Sequence, residues 1–581
     1  MIGEHDGIVP AGRPEGKLCE TVDAMSKDQD NRGTGTVWLA TGALVGAMVT
    51  IGLVLLAMRV FGPGGPPAAY QSPRFVEESG MAGIDHVYDG EFTFFVGGGV
   101  AVLDCNDDGR PDLYFAGGVN PAGLYRNESP TGGSLRFTET GDAVTDLTEV
   151  TGAYPLDIDG DRHADLAVLR LGENVLLRGL GDCRFERANE IWNVDGGDEW
   201  TAAFSARWED SAAMPTLAFG NYVGLTETGQ QTGGCSDHYL FRAENDRYQE
   251  PLALSPGWCT LSILFSDWDR SGRRDLRMTN DRHYYREGEE QLWLVTEWEP
   301  PRPYRHEEGW QRMQIWGMGI ASYDLTGDGL PETFLTSQGD NKLQTLAGDR
   351  SQPHYADIAL RSGVTAHRPF VGDVVLPSTA WHPEFQDVNN DSFIDLYISK
   401  GNVEAIPEYA AADPNNLMLG NPDGTFTEAA EEAGIVNFAR SRGAALADFN
   451  LDGMLDLVEV NRRENIGLWR SVGWGDAGTP EPMGDWIAIR TEQTGANPDA
   501  IGSWIEVKTG NRVQQRELTV GGGHAGGQLG WIHFGIGDVD TVKVRVQWPG
   551  GEKGPWLEVS SNQFMTITRG ATEADIWHPG G

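Results

Sequence analysis

The chain has 581 residues, with 86 acids against 44 bases, a formal charge of −42. That balance excludes a general nucleic-acid binder, which needs a basic face to displace counterions from phosphate. A 39% hydrophobic content with 19 Trp, 21 Phe and 15 Tyr excludes a disordered chain, and 77 Gly without a three-residue period exclude collagen.

Residues 37–58 (VWLATGALVGAMVTIGLVLLAM) hold no charge over 22 positions. That is enough to cross a bilayer as a helix and more than the roughly 7–15 residues of a secretory signal core. They read as an uncleaved N-terminal transmembrane helix, with the small residues at Pro67-Ala68-Ala69 leaving cleavage open. Lys27 and Arg32 before the span, against Arg59 after it, favour a cytoplasmic side for residues 1–36. Met25 offers a shorter start. Gly42 and Gly46 form one GxxxG, which a Gly-rich span produces by chance. Residues 59–74 read as a linker, and all that follows is expected to be extracytoplasmic, periplasmic or extracellular. There Cys105, Cys183, Cys235 and Cys259 form an even set in a disulfide-permissive compartment. Cys235–Cys259 is the preferred bridge because the two are near in sequence; Cys19 lies before the span. The sequence has no CxxC or CxxCH, so nothing supports a thioredoxin-like or c-type haem role.

From about residue 75 the chain repeats itself. DCNDDGRPDL begins at Asp104, DIDGDRHADL at Asp157, DWDRSGRRDL at Asp267, DLTGDGLPET at Asp324, DVNNDSFIDL at Asp387 and DFNLDGMLDL at Asp448. WEDSAAMPTL at Trp208 reads as a seventh unit that has lost its acids, and the seven starts are then 51 to 63 residues apart. Small apolar stretches precede the loops (GGGVAVL, GMGIASY, RGAALA) and apolar runs follow (DLYFAGG, DLAVLRL, DLYISKG, DLVEVN). Both read as short strands, as do residues 416–419 and 425–427 around the NPDG turn. About four strands per unit is the size of a propeller blade, and seven blades close a ring. The expected fold for 75–475 is therefore an all-β, seven-bladed β-propeller. A second echo is an aromatic eight residues before a Gly that is followed by Ile or Val: Phe75 and Gly83, Tyr355 and Gly363, Phe426 and Gly434. The copy at Phe75 precedes the first acidic loop, so it is expected to give an outer strand to the last blade. The tail (DWIAIRT, SWIEVKT, KVRVQW, FMTITR) alternates apolar and polar residues and reads as a small antiparallel β domain over 484–569.

The loops share carboxylates or amides at places one, three, five and nine, with Gly common at six. Carboxylates that close repel one another, and a hard dication holds them. Calcium takes about six to eight oxygens flexibly, whereas magnesium needs a stricter octahedron. The expected ligands are Asp104, Asn106, Asp108 and Asp112 with the Arg110 carbonyl; Asp157, Asp159, Asp161 and Asp165; Asp387, Asn389, Asp391 and Asp395; and Asp448, Asn450, Asp452 and Asp456. Asp267, Asp269, Ser271 and Asp275 should bind more weakly, as should Asp324, Thr326, Asp328 and Glu332; the Trp208 unit should be empty. Up to six structural Ca2+ ions follow. One such loop could be an acidic turn without metal, but six in one register argue against it. The loop at Asp448 also fits an EF-hand through Glu459 at place twelve. Phe115, Val168, Met278, Leu335 and Ile398 hold that place in the others and belong in strand interiors, so Glu459 is a coincidence.

With these loops the sequence resembles the calcium-binding FG-GAP/VCBS repeats of integrin-α-type β-propellers. NPDAIGSWIEV from Asn497, RELTVGGGH from Arg516, HFGIG from His533 and VQWPGG from Val546 resemble the ASPIC/UnbV domain. With FTEAAEEAGI from Phe426, the chain from about Phe75 is similar to the cartilage acidic protein family in its bacterial form. The Trp208 unit departs from the pattern, and so does the segment after Gly523, which lacks aromatic-Leu-Ser. The resemblance implies calcium binding and an extracellular or periplasmic location, and no catalytic residues.

The sequence has no G-x-S-x-G, HExxH or P-loop, and His238, His283, His367, His382, His524 and His533 are scattered. Residues 521–524 (GGGH) read as a Gly-rich turn or as a loop close to a ligand. The expectation is a membrane-anchored, calcium-stabilised propeller that binds a protein or glycan partner, with long insertions at 225–237 and 402–415 on one face. The alternative is an enzyme or biosynthetic accessory protein working in the propeller funnel, marked by titratable side chains gathered at its mouth. A third reading is a structural protein that assembles through the C-terminal domain.

Overall fold

In this computed structural model, which describes residues 71–580 apart from 210–211, 227–230, 282–287, 298 and 366–375, each acidic loop is the turn of an antiparallel hairpin. Val100–Leu103 with Asp112–Phe115, Val150–Leu156 with Asp165–Arg170, Thr260–Ser266 with Asp275–Asn280, Gly317–Tyr323 with Glu332–Ser337, Ala380–Gln386 with Asp395–Lys400 and Arg440–Ala447 with Asp456–Arg462 are the six pairs. The Trp208 unit forms the same hairpin from Thr201–Arg207 and Thr216–Asn221. Place nine of every acidic loop is the first residue of the second strand. The apolar runs that the sequence places on either side are buried on both faces, as in strands packed between sheets.

Two outer strands extend each hairpin, giving seven four-stranded sheets. The seven first strands contact one another in a closed cyclic order, the seventh returning to the first. Arg74–Glu77 pairs with Gly467–Gly473 as the outermost strand of the seventh sheet, the role expected of the Phe75 segment. The two ends of the repeat thus meet in one sheet. Each copy of the aromatic–Gly echo is an outer strand followed by a short helix. Ser79–Ala82, Ala359–Ser362 and Ala430–Ala433 end on Gly83, Gly363 and Gly434, all left-handed at φ 86°, 79° and 79°. A fourth helix, Asn189–Trp192, ends on Asn193 at φ 59°. A search for Gly misses it, because Asn also tolerates this conformation.

The four expected tail strands form, as Asp485–Glu492, Trp504–Thr509, Thr541–Gln547 and Gln563–Thr568. They belong to two four-stranded sheets, and Asp485–Glu492 runs parallel to Gln563–Thr568, against the all-antiparallel expectation. Between these two strands the chain crosses to the other sheet and back, and such a return permits the parallel pairing that a tight hairpin forbids. Asp575–Trp577 adds an edge strand beyond residue 569. The tail core (Ile487, Ile505, Phe534, Val544, Met565) continues into Tyr154, Phe204 and Phe219 of the second and third sheets, so the two parts share one interior.

Cys235–Cys259 forms, and Cys105–Cys183 joins the first acidic loop to the turn before Phe185–Arg187. No described helix is long and apolar enough to cross a membrane. The expected span at 37–58, with Cys19, Met25, His283 and His367, lies outside the described residues.

Candidate metal loops and their cap

The six acidic loops share one backbone. Place four is left-handed in all of them (Asp107, Gly160, Arg270, Gly327, Asn390, Leu451), as is place six (Gly109, Arg162, Gly272, Gly329, Ser392, Gly453). Place six favours Gly for that reason. Its amide donates to the place-one carboxylate in every loop, from 3.0 Å at Asp267 and Asp324 to 2.7 Å at Asp448. The place-nine carboxylate accepts the place-two amide in five loops, as in Cys105 to Asp112 (2.8 Å) and Phe449 to Asp456 (3.0 Å). Its other oxygen accepts a third-strand amide from Asn127, Gly179, Gly420 or Ser471. Place nine is therefore structural in its own right, tying the loop to the sheet.

The expected ligands converge in these loops. Asn106, Asn389 and Asn450 each turn an amide N–H to the place-five acid at 3.0–3.1 Å. Arg110, expected to offer its carbonyl, donates its amide to Asp108 (2.8 Å), and the Ser271 amide donates to Asp269 (3.0 Å). Thr326 donates its amide to Glu332 (3.1 Å), and the Leu330 amide donates to Asp328 (2.9 Å). Oxygens of Asp157, Asp159 and Asp165 lie within 4.8 Å of one another. Arg178 pairs with Asp159 and Asp161 at 2.6 and 2.8 Å, offsetting the one loop that carries four acids. Burial pushes Asp112, Asp165, Asp387, Asp395, Asp448 and Asp456 well above the carboxylate range, with neighbouring acids adding to it. The same cause raises Asp157 and Glu332 to about 7, and Asp324 and Asp452 to about 6. Two buried oxygens in these loops, Asn450 Oδ1 and Asp324 Oδ1, have no hydrogen-bond partner. An unpaired buried acceptor amid acids fits a cation.

The Trp208 unit is neutralised differently. Glu209 accepts Arg207 (2.9 Å) and Thr216 (3.1 Å) and pairs with Arg242 (3.3 Å). Glu459 sits inside a strand, as expected, accepting Tyr397 (2.7 Å) and Asn415 (2.6 Å).

The C-terminal sheets cover the end of the ring that bears these loops. Trp531 donates to the Gly109 carbonyl (2.9 Å), Glu517 accepts the Asp267 amide (3.0 Å), Gln515 reaches Asp324 (3.2 Å) and His533 meets Asn390 (2.7 Å). Residues 519–530, which contain GGGH, run inside the ring. They bridge the first strands of the first five sheets at Val102, Ala153, Ala206, Leu264 and Ile320. The His524 amide donates to His382 Nδ1 in the sixth (3.1 Å). The glycines suit this path: Gly521, Gly522 and Gly523 have φ of 125°, 73° and 55°. His524 is fully buried, which lowers it to about 3 and keeps it neutral.

Models of the FG-GAP-like repeat match residues 104–168 and 387–459, and the ASPIC and UnbV model matches 493–574. The chain carries FG-GAP-like repeats and a C-terminal ASPIC and UnbV domain. The FG-GAP matches take in the loops at 104, 157, 387 and 448 and leave out the Trp208 unit and the loops at 267 and 324, which depart most from the acidic pattern. No curated protein matches the chain. It is similar to solved structures titled BBS1N in complex with ARL6DN (10% identity, 71% of this chain and 100% of that one, TM-score 0.40). It is also similar to an Agrocybe aegerita protein described as recognising non-reducing terminal N-acetylglucosamine (14%, 64% and 94%, TM-score 0.37). An AofleA mutant from Arthrobotrys oligospora is a third (10%, 58% and 86%, TM-score 0.32).

A cavity of about 460 Å³ lies between the FG-GAP ring and the ASPIC and UnbV domain, lined by His382, Glu384, Arg516, Glu517 and His533 among others. Titratable groups do gather at this mouth. Glu384, however, accepts Gln386 (2.8 Å), Gln528 (2.7 Å) and the Leu446 amide (3.1 Å). Glu517 accepts Arg274 (3.1 Å), Ser266 (2.9 Å) and the Asp267 amide. Both carboxylates are committed to joining the domains.

Proposed function

We propose that the FG-GAP part is a seven-bladed propeller, stabilised by calcium and held outside the cytoplasm by the N-terminal span, that binds a protein or glycan. The supporting observation is a division of ends. Turns of a meander alternate ends, so the acidic loops, all between first and second strands, share one end, and the ASPIC and UnbV domain covers it. The second-to-third turns share the other. There lie residues 402–415 and the hairpin of Val223–Leu225 with Gln231–Cys235. That end, away from the C-terminal sheets, is the one we propose meets a partner.

Calcium would be held by the carboxylates of places one, five and nine with the place-three amide oxygen, clearest at Asp387 and Asp448, and would neutralise them. The unpartnered Asn450 Oδ1 supports this fit. Loops of this kind in extracellular modules bind at about 0.1–1 mM and stabilise by mass action. Melts with calcium and with chelator test it: an unchanged midpoint overturns the calcium reading. A glycan array and a pull-down, repeated with residues 402–415 replaced by a short Gly-Ser linker, test the binding end: retention unaffected by the replacement counts against it.

An enzymatic reading draws on the titratable groups at the cavity mouth. The hydrogen bonds that occupy Glu384 and Glu517 favour the binding reading.

A further inference from the structure

Arginines reach ligand carboxylates in four of the six acidic loops. Arg178 pairs with Asp159 and Asp161 and Arg350 with Asp328, at places three and five, whereas in the loops at Asp104 and Asp267 the arginine sits on the place-one or place-nine acid. In the loop at Asp267, place nine is Asp275, fully buried. Its Oδ1 accepts Arg273 Nε (3.0 Å) and the Val295 amide (3.2 Å). Its Oδ2 accepts Arg273 Nη2 (3.1 Å), Trp268 Nε1 (3.0 Å) and Tyr304 Oη (2.7 Å). Five donors meet a group with about four lone-pair sites, which leaves no oxygen for a metal. Trp268 gives its indole N–H where the other loops give the place-two backbone amide.

In the loop at Asp104 the charge comes from the C-terminal sheets, from the strand Asp485–Glu492. Arg490 Nη2 donates to Asp104 Oδ2 (3.1 Å). The guanidinium lies 4.1 Å over Trp531, whose indole N–H binds the Gly109 carbonyl of the same loop. The loops at Asp387 and Asp448 differ: among the described residues no Arg or Lys pairs with their place-one, -five or -nine acids.

We propose that the loops at Asp104 and Asp267 are not metal sites, and that Arg490 and Arg273 fill there the role a divalent cation has in the other loops. The chain then binds at most four calcium ions, and the first loop is an electrostatic latch for the C-terminal sheets. This rests on the calcium reading for the loops at 157, 324, 387 and 448.

The test is the number of calcium ions bound by the purified full chain at saturation, measured by equilibrium dialysis with radioactive calcium. The expected count is four or fewer. It rises by one in Arg490→Gln, which frees Asp104, and falls by one in Asp452→Ala. Five or six ions in the unmodified chain overturn the proposal while leaving the calcium reading intact, and so does a count unmoved by Arg490→Gln. If no ion binds, the calcium reading fails, and melts in chelator judge the guanidinium role. Arg273→Gln must then lower the midpoint, because buried Asp275 loses the guanidinium that pairs with it; an unchanged midpoint overturns it.

Discussion

Gly453 lies so close to Trp486 that a Cβ on it would overlap the indole edge. Gly453 is place six of the last acidic loop, and Trp486 belongs to the first strand of the C-terminal sheets. The left-handed turn that the loop needs is thus also the seat of the cap. Gly453→Ala adds strain at φ 84° to a collision in a closed interface, and should cost about 2–5 kcal/mol. Gly424→Ala meets nothing within 4 Å at φ 80°, and should cost about 1 kcal/mol. Urea unfolding compares them; equal losses would mean that Trp486 does not seat there.

Glu459 and Asp452 should separate cleanly in mutation. Glu459 receives Tyr397, Asn415 and Asn437 inside the sheets. Glu459→Gln presents an N–H to those donors, so it should lower stability by about 1–3 kcal/mol and leave the calcium count unchanged. Asp452→Ala should remove one calcium and cost little in chelator, where burial without a cation holds this acid at about 6. A calcium count lowered by Glu459→Gln would revive the EF-hand assignment.

Much of this was legible in the residues because the repeat writes its register into each loop: place one, place nine and the strand beyond recur at fixed spacing. The same regularity exposed the Phe75 segment as the closing strand. What stayed hidden is long-range. Arg490 and Asp104 are 386 residues apart, and no local pattern pairs them. Residues 521–524 read as a turn or as a loop close to a ligand because Gly marks both turns and close backbone approach, and only the ring around them shows the second kind of contact, with protein backbone. Asn193 escaped because it does the work of a Gly.

His238 should make the fold acid-sensitive. Its Nδ1 accepts the Asn221 amide (3.1 Å), so the neutral ring carries its proton on Nε2, facing Thr260 Oγ1 (3.0 Å). Asn174, Asn341 and Asn415 accept the corresponding amides of Arg170, Ser337 and Lys400 in the second, fifth and sixth sheets. The position thus asks for an acceptor, and only the imidazole loses that capacity in acid. Burial lowers His238 to about 4, against about 6.5 when unfolded. Its stabilisation is complete above pH 6.5 and is lost as pH falls towards 4, by about 2 kcal/mol at pH 5. In urea unfolding at pH 7.5 and 5.0, His238→Gln should lose less stability on acidification than the unmodified chain by about that amount. An identical loss in both would show that His238 is not held neutral.

Gly526 tests whether the Gly-rich segment is built into the ring. A Cβ there would run into the Val100 carbonyl of the first sheet, and a first strand hemmed by its neighbours cannot withdraw. The contact is flanked by Val102 N to Gly527 O (3.0 Å) and Leu529 N to Val102 O (2.9 Å). Gly526→Ala should therefore cost about 2–4 kcal/mol and speed hydrogen exchange at the Val102 and Leu529 amides ahead of the rest of the first sheet. Gly510→Ala, in a hairpin turn at φ 59° with open space around it, should cost about 1 kcal/mol and leave those amides protected. Equal protection in both variants would mean that the segment does not hold the ring from within, and that its glycines serve only to turn the chain.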